Sequence, residues 1–361
     1  MSFTHPHVPH DFRERRDAHD TPADLSQFWV ILVNSNPARY KRRNELFFRA
    51  REMCELAGVN VISVELAFGA RPFMVTEGGH KHHLQLRTMG EELWHKENLI
   101  NLGIRHAHHL APNGVREIAW VDADCRPAMP YRAWFEETWH QLQTYQIVQM
   151  WEWLIDLDVH HNPIGNPNRG FMANYVTTGA PNVLRERKLV IPGGPEYSGG
   201  DKSTTEILSW GAPGLAWAAN ADALSHLGGG SGGPLMDFSV LGANDWYTAH
   251  SLIGNVTANK FDWVGKRYLE RIFHYQTLCE RWIKRDVGYV AGIVCHDFHG
   301  HKAKRGYTTR GKILVDCDYN PDTDLKYDSQ GVLHLETWEP RQLELRDRIR
   351  AYMRQRDEDG R

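Results

Sequence analysis

Two aspartates one residue apart end an apolar run in IAWVDADCRP, residues 118–127. Carboxylates at i and i+2 just past a strand leave the sheet on one side, so Asp122 and Asp124 can approach one hard cation directly or through water. Magnesium and manganese favour oxygen ligands, keep positions open for water, and accept diphosphate oxygens there. The plainer reading of any such pair is that one aspartate caps the next turn and the other is solvated. Asp156-Leu-Asp158 and Asp316-Cys-Asp318 share the spacing, but only Asp122 and Asp124 follow an uninterrupted apolar strand. A second cluster offers nitrogen ligands: CHDFHGHKAKRGYTTR, residues 295–310, groups His296, His299 and His301 with Lys302, Lys304, Arg305 and Arg310. Imidazole can complete an octahedral manganese shell, and the cations can offset a departing diphosphate. His299 is the first candidate ligand and His296 the second; a solvated basic loop is the competing reading.

Elements able to position these groups follow from the apolar pattern. Phe28–Val33 is a continuous apolar run, as in a strand covered on both faces, and Asn34-Ser-Asn-Pro37 ends it. Apolar residues recur at helical spacing from Arg42 to Ala57, Gly58 supplies the stop, and Val59–Leu66 reads as a second strand. Strand, helix and strand in that order imply a right-handed βαβ unit in a covered parallel sheet, whose ligand sites lie at the carboxyl ends of strands. The pattern continues with a helix over Met89–Leu102, a strand at Ile118–Val121, a helix at Trp134–Tyr145 and a strand at Ile147–Trp151. Between Asp156 and Gly214 it dissolves into Gly, Pro, Asn and Ser, the composition of a lid or acceptor loop. GLAWAANADAL then resumes packed or helical character, NDWYTAHSLIG opens another helix, and a charged amphipathic helix runs from about Leu343 to Arg356. Residues 1–26 are polar and read as a loose arm.

The bulk numbers exclude several classes. Lys plus Arg number 42 against 45 Asp plus Glu, so the net charge of −3 gives no general attraction to nucleic acid or anionic lipid. The cysteines, five and unpaired in spacing, argue against a disulfide framework or a zinc knot. No apolar run approaches the ~20 residues that span a bilayer, and the polar start lacks an apolar signal region, so a soluble cytoplasmic protein is expected.

Other residues suit a nucleotide. Asn34, Ser35 and Arg39 leave the first strand, and Glu65 ends the second, where it could accept from a base or ribose. In LWHKENLIN, Trp94, Lys96, Glu97 and Asn98 would need to face the cleft, with Lys96 neutralising phosphate; a solvated helix face is the alternative. Trp210 and Trp217 could stack on a sugar, or belong to the core. GANDWYTAH puts Gly242, Asn244 and Asp245 at a helix start, where an N-cap explains Asp245 cheaply.

The order of LWHKENLINLGI, IAWVDADCRP, GLAWAANADAL, LGANDWYTAH and HDFHGHKAKRGYTTR resembles nucleotide-sugar-dependent glycosyltransferases of the GT-A fold, over about residues 28–318. The resemblance implies an α/β, Rossmann-like, mixed but mostly parallel sheet flanked by helices. It implies a glycosyltransferase domain at 27–318, with a nucleotide-binding part to about 155 and an acceptor part from 156, followed by a helical extension at 319–361. It further implies that Asp122 and Asp124 hold Mn2+ or Mg2+ on the donor's diphosphate, with Lys304 among the donor contacts and a metal-ligating His in the C-terminal segment. Asp245 then deprotonates the acceptor, beside Asn244 where such enzymes commonly carry Glu. A UDP-sugar is the expected donor, while glycan, protein, small-molecule and modified-base acceptors all stay open. Two other classes compete: a metallohydrolase using HKHH at 80–83, HAHH at 106–109 and the C-terminal histidines, and a carbohydrate-binding protein without catalysis.

Overall fold

A computed structural model describes residues 21–111, 114–178, 211–229, 233–256, 264–307 and 309–360. The apolar runs become β1 Phe28–Ser35, β2 Asn60–Phe68, β3 His83–Thr88, β4 Glu117–Val121, β5 Cys125–Pro127, β6 Ile147–Gln149, β7 Trp153–Leu157, β8 Pro163–Arg169, β9 Ala216–Asn220, β10 Val287–Tyr289, β11 Ile293–His296, β12 Leu325–Tyr327 and β13 Leu333–Leu335. The main sheet has the order β10-β6-β9-β4-β1-β2-β3. Its β3, β2, β1 and β4 run parallel, β9 is antiparallel to both β4 and β6, and β10 is parallel to β6. The chain is thus mixed α/β with a mostly parallel sheet flanked by helices. It fills β2 and β3 on one side of β1, then returns to place β4 on the other, and at that reversal the carboxyl ends of β1 and β4 leave a crevice.

Helices cover both faces. On one, α1 Lys41–Ala57 and α3 Tyr131–Leu142 bury Phe47, Met53, Trp134 and Phe135 against Val30 and Leu32. On the other, α2 Lys96–Leu110 sets Leu99 and Leu102 against Ile31 and Val64. Gly58 ends α1 at φ 82°, the left-handed conformation its position suggested.

Several expectations shift. The helix expected at Met89–Leu102 starts at Lys96 and runs on to Leu110, because residues before it are committed elsewhere: the Trp94 amide donates to the Val240 carbonyl (3.0 Å), and both nitrogens of the His95 ring lie 3.0 Å from carbonyls, of Leu93 and Leu333. GLAWAANADAL is a central buried strand, β9, followed by a short helix Ala221–Ser225. Within Asp156–Gly214 the chain forms β8 and the helix α4 Phe171–Thr178, while 179–210, with Trp210, lie outside the described residues. The expected arm is described only from residue 21. Residues 319–360 hold the β12–β13 hairpin as well as the helix Pro340–Gln355, and Leu333, Leu345, Ile349 and Met353 join the core beneath α2. No helix among the described residues is long and apolar enough to cross a membrane, and all five cysteines are free.

Gly103 lies inside α2 as a point of close approach: a Cβ there would sit 2.5 Å from Ile31 Cγ2 and 2.9 Å from Val64 Cγ2. Both neighbours are β-branched and cannot rotate away cheaply. Gly103→Ala gains about 1 kcal/mol of helix propensity but overpacks the sheet by about 1–3 kcal/mol. We expect a net loss of about 1 kcal/mol, read as a lower urea midpoint at unchanged slope; an unchanged or higher midpoint contradicts this packing.

Candidate active site

Strand register assembles the first cluster. The β4 strand ends at Val121, and the turn Asp122–Cys125 is clamped by Asp122 N–H donating to the Leu215 carbonyl (2.7 Å) and Cys125 N–H to the Asp122 carbonyl (2.9 Å). Next, β5 enters a second sheet of order β5-β11-β7-β8, where His296 stands opposite Cys125 on one side and Asp156 on the other. Asp124, His296 and Asp156 therefore become neighbours, and His299 folds over them from the following turn. Asp124 Oδ2 lies 2.5 Å from His299 Nε2 and 3.4 Å from His296 Nε2, and the two Nε2 atoms are 3.2 Å apart.

The second nitrogen of each ring is also engaged. His296 Nδ1 is 2.7 Å from Asp156 Oδ1, and His299 Nδ1 is 3.4 Å from Glu358 Oε2. Carboxylates beside Nδ1 orient both rings with Nε2 toward Asp124, the arrangement of metal-ligating histidines. Arg305 Nη2 lies 2.9 Å from His299 Nε2. The other oxygen of Asp124, Oδ1, is buried with no hydrogen-bond partner. A carboxylate with Oδ2 against two imidazole nitrogens and Oδ1 left without a donor has the ligand types that suit a dication. Among the described residues, Asp124, His296 and His299 are the group of three whose ligand atoms converge this way. HKHH and HAHH form no such group; His80 stacks on His83, with ring centroids 4.1 Å apart.

Electrostatics keep the cluster charged. Burial raises Asp124, but His299 and His296 outweigh it and hold the carboxyl well below its ordinary range. Burial likewise opposes ionisation of Asp156, yet hydrogen bonds from His296 and Lys302 bring it down to about 2. Burial lowers His296, and Asp124 and Asp156 reverse that and raise it. The rival pairs are resolved differently: Asp158 caps the turn at His160 and Asn162, and Asp316 pairs with Arg348 and Lys312.

Beside the cluster, the crevice at β1 and β4 encloses about 930 Å³ of free space, part of it open solvent. Asn34, Ser35, Trp94, Lys96, Asp122, Asp124 and His299 all line it. Lys96 is ion-paired with Asp122, so Asp122 faces the cleft without joining the His cluster. Burial pulls the Lys96 ammonium down, but Asp122, Glu97 and Asp245 outweigh it and keep the side chain charged.

Four expected donor contacts lie elsewhere. Glu65 accepts from the amides of Met74 (2.6 Å), Val75 (2.9 Å) and Thr76 (2.9 Å) and from the Thr76 hydroxyl (2.7 Å), so it anchors a loop. Asn98 donates to Asp237 and to the Gly331 carbonyl and accepts from Leu333 N–H, tying α2 to the β12–β13 hairpin. Arg39 lines a separate surface hollow with Arg71 and Arg350. Lys304 is exposed and paired with Asp357.

Lys96 also lines a second, smaller cavity, partly open to solvent, with Glu97, Trp120, Trp217, Asn244 and Asp245. Trp217 is buried in β9 and donates to the Pro213 carbonyl (2.7 Å). Asn244 is buried and held by Ser239 (3.2 Å), while Asp245, in the first turn of the same helix, accepts from the Trp246 N–H (2.9 Å). Gly242, at φ 82°, turns the chain into that helix where a Cβ would press on the Trp94 ring at 3.3 Å. Two contributors lacked a signal strong enough for assignment. Glu97 was one of four residues that would need to face the cleft, and the tail residues Arg356 and Glu358, both lining the larger cleft, belong to the extension read only as a charged amphipathic helix and its end.

No protein-family model and no curated protein matches this sequence. Among solved structures, the chain is similar to the catalytic domain of a Drosophila beta1,4-galactosyltransferase 7 in complex with xylobiose, at 11% identity and TM-score 0.33, over 87% of this chain and 95% of that one. It is also similar to a Bacillus anthracis protein described as a glucose-1-phosphate thymidylyltransferase, in complex with sucrose, at 9% identity and TM-score 0.31, over 84% of this chain and 98% of that one. At these TM-scores the functional reading rests on the site and not on the likeness.

Glu97 gives the site a pH signature. Burial pushes its carboxyl up to about 8, Lys96 opposing and Asp245 and Asp122 adding to the rise. Between the ordinary carboxyl value and about 8 the folded chain keeps a proton that the unfolded chain has released. Stability therefore falls as pH rises through that window, by up to about 1.4 kcal/mol per pH unit. Glu97→Gln carries no such proton, so its urea stability should gain on the wild type from pH 5 to pH 8. A difference that stays flat with pH would show Glu97 ionised in the folded protein.

Proposed function

We propose that this chain is a metal-dependent glycosyltransferase of the GT-A kind that moves a sugar from a nucleotide-sugar donor to an acceptor hydroxyl. The observation that carries the reading is the convergence of Asp124, His296 and His299 beside a crevice at the sheet's topological switch point. One carboxylate and two imidazoles suit a transition-metal dication such as manganese better than magnesium, which prefers oxygen and water. When bound there, the dication supplies positive charge to a diphosphate leaving group.

The chain's own residues do the rest. Asn34 and Ser35, at the exit of β1, offer polar groups to the nucleoside, and Trp94 lines the cleft beside them under the Arg356 guanidinium, with a UDP-sugar as the donor. Lys96 brings a fixed positive charge to the phosphates, and Asp122 holds it in place. Asp245, in the smaller cavity, takes the proton from the acceptor hydroxyl as its oxygen bonds to the anomeric carbon and the bond to the diphosphate breaks. Protonated Glu97 can donate a hydrogen bond to that acceptor, and Asn244 stiffens the helix start that carries Asp245.

Turnover of a panel of nucleotide sugars, with and without Mn2+, tests this reading. We expect Mn2+-dependent release of the nucleoside diphosphate from one class of donor. Asp124→Ala and His299→Ala should each lower that turnover at least ~100-fold, since even outer-shell changes at metal sites cost 10–100-fold. Asp245→Asn should lower kcat by about 10²–10⁴ and leave UDP affinity within about threefold. Turnover that survives Asp124→Ala, or a panel left intact in Mn2+, contradicts the proposal.

A further inference from the structure

The chain's last residues leave the helix Pro340–Gln355 and double back into the site. Asp357 sits at φ 44°, and its carbonyl passes so close to Gly300, next to His299, that a Cβ there would be 2.7 Å away. Anchors hold the tail on both sides: Asp359 accepts from the Lys41 and Arg42 amides at the start of α1 (2.9 Å each), and Asp357 N–H donates to the Tyr40 hydroxyl (2.9 Å). Between them Glu358 is 1% exposed. It accepts from Arg43 Nε (2.5 Å) and Arg356 Nε (2.7 Å), and its Oε2 faces His299 Nδ1 at 3.4 Å. The Arg356 guanidinium lies over the Trp94 ring, 5.1 Å from its centroid, and forms part of the cleft wall. Its Nε and Nη1 are bound to Glu358 and to the Tyr352 hydroxyl, while Nη2 has no hydrogen-bond partner among the described residues.

A buried carboxylate aimed at the outer nitrogen of a ligand imidazole orients that ring and raises its basicity. A guanidinium with free donors, stacked on an aromatic ring at a cleft wall, is suited to phosphate oxygens. With Arg43 and Arg356 against Glu358 alone, the trio keeps one positive charge beside the cleft. We infer that the tail Arg356–Asp359 is a positioning element of the donor site, in which Glu358 orients His299 for the cation and Arg356 binds the nucleoside diphosphate beside Trp94. This rests on the reading of the cleft as a cation and nucleotide site.

The test uses the full chain and two isosteric or near-isosteric variants, Glu358→Gln and Arg356→Gln, each of which disturbs the same Glu358–Arg356 bond. Affinity for Mn2+ alone and for UDP at saturating Mn2+ are measured by titration calorimetry, with thermal midpoints in parallel. Each variant disturbs several contacts of one latch, Glu358→Gln those to Arg43 and Arg356, and Arg356→Gln those to Glu358 and Tyr352, so a purely structural tail lowers both affinities together with the thermal midpoint. The inference expects them to split. Glu358→Gln should weaken Mn2+ about 10–100-fold and leave UDP at saturating Mn2+ within about threefold. Arg356→Gln should leave Mn2+ within about threefold and weaken UDP about tenfold or more. Affinities that are unchanged, or that fall together with the thermal midpoint in both variants, overturn it. A wild-type chain that binds neither Mn2+ nor UDP instead removes the underlying reading, and this inference with it.

Discussion

Everything at this site depends on the register between β5, β11 and β7. Two residue-for-residue pairings, His296 with Cys125 and His296 with Asp156, bring a carboxylate from one end of β4 against an imidazole from far along the chain. The result is a buried group that is costly without a cation. Two imidazole nitrogens 3.2 Å apart repel unless a proton or a metal lies between them, and Asp124 Oδ1 has given up water without gaining a donor. Asp124 and Asp156 favour a proton on His296, and the Arg305 guanidinium lies on His299. A dication satisfies all three ligand atoms together.

The same constraint organises the space around the cluster. Lys96, ion-paired with Asp122, lines both spaces and stands as a partition between the larger cleft, at the exits of β1 and β4, and the smaller acid-lined cavity. A leaving group held on one side and an acceptor on the other would meet at that partition, which is the geometry a group transfer needs. The C-terminal segment completes the wall. It is packed into the core through Leu345, Ile349 and Met353, so its last residues arrive at His299 as a supported element.

How much of this could be read from the chain depended on range. The β1, α1 and β2 elements were legible because their periodicity is local and Gly58 marks the boundary. The start of α2 was not, because the Trp94 amide and the His95 ring are claimed by partners over a hundred residues away in the chain. Asp124, His296 and His299 were legible as ligand types, and the structure brings them together. Asp156 was weighed as a rival to Asp124; it is in fact the partner of His296, a relation that only strand pairing reveals. Glu65 and Asn98 have the right chemistry for a nucleotide but are spent on backbone groups whose need for partners no sequence pattern displays. Glu358 carries no local signal, since a carboxylate in a charged tail looks solvated until the turn at Asp357 returns it to His299.

The most direct measurement is anomalous diffraction at the manganese edge from crystals grown with Mn2+ and UDP. The account requires one strong peak within about 2.0–2.3 Å of a carboxylate oxygen of Asp124 and the Nε2 atoms of His296 and His299. It also requires diphosphate oxygens on the open side of that ion, toward Lys96. A crystal with no peak there, with Asp124 still resting on the two imidazoles and UDP bound elsewhere or not at all, would contradict it.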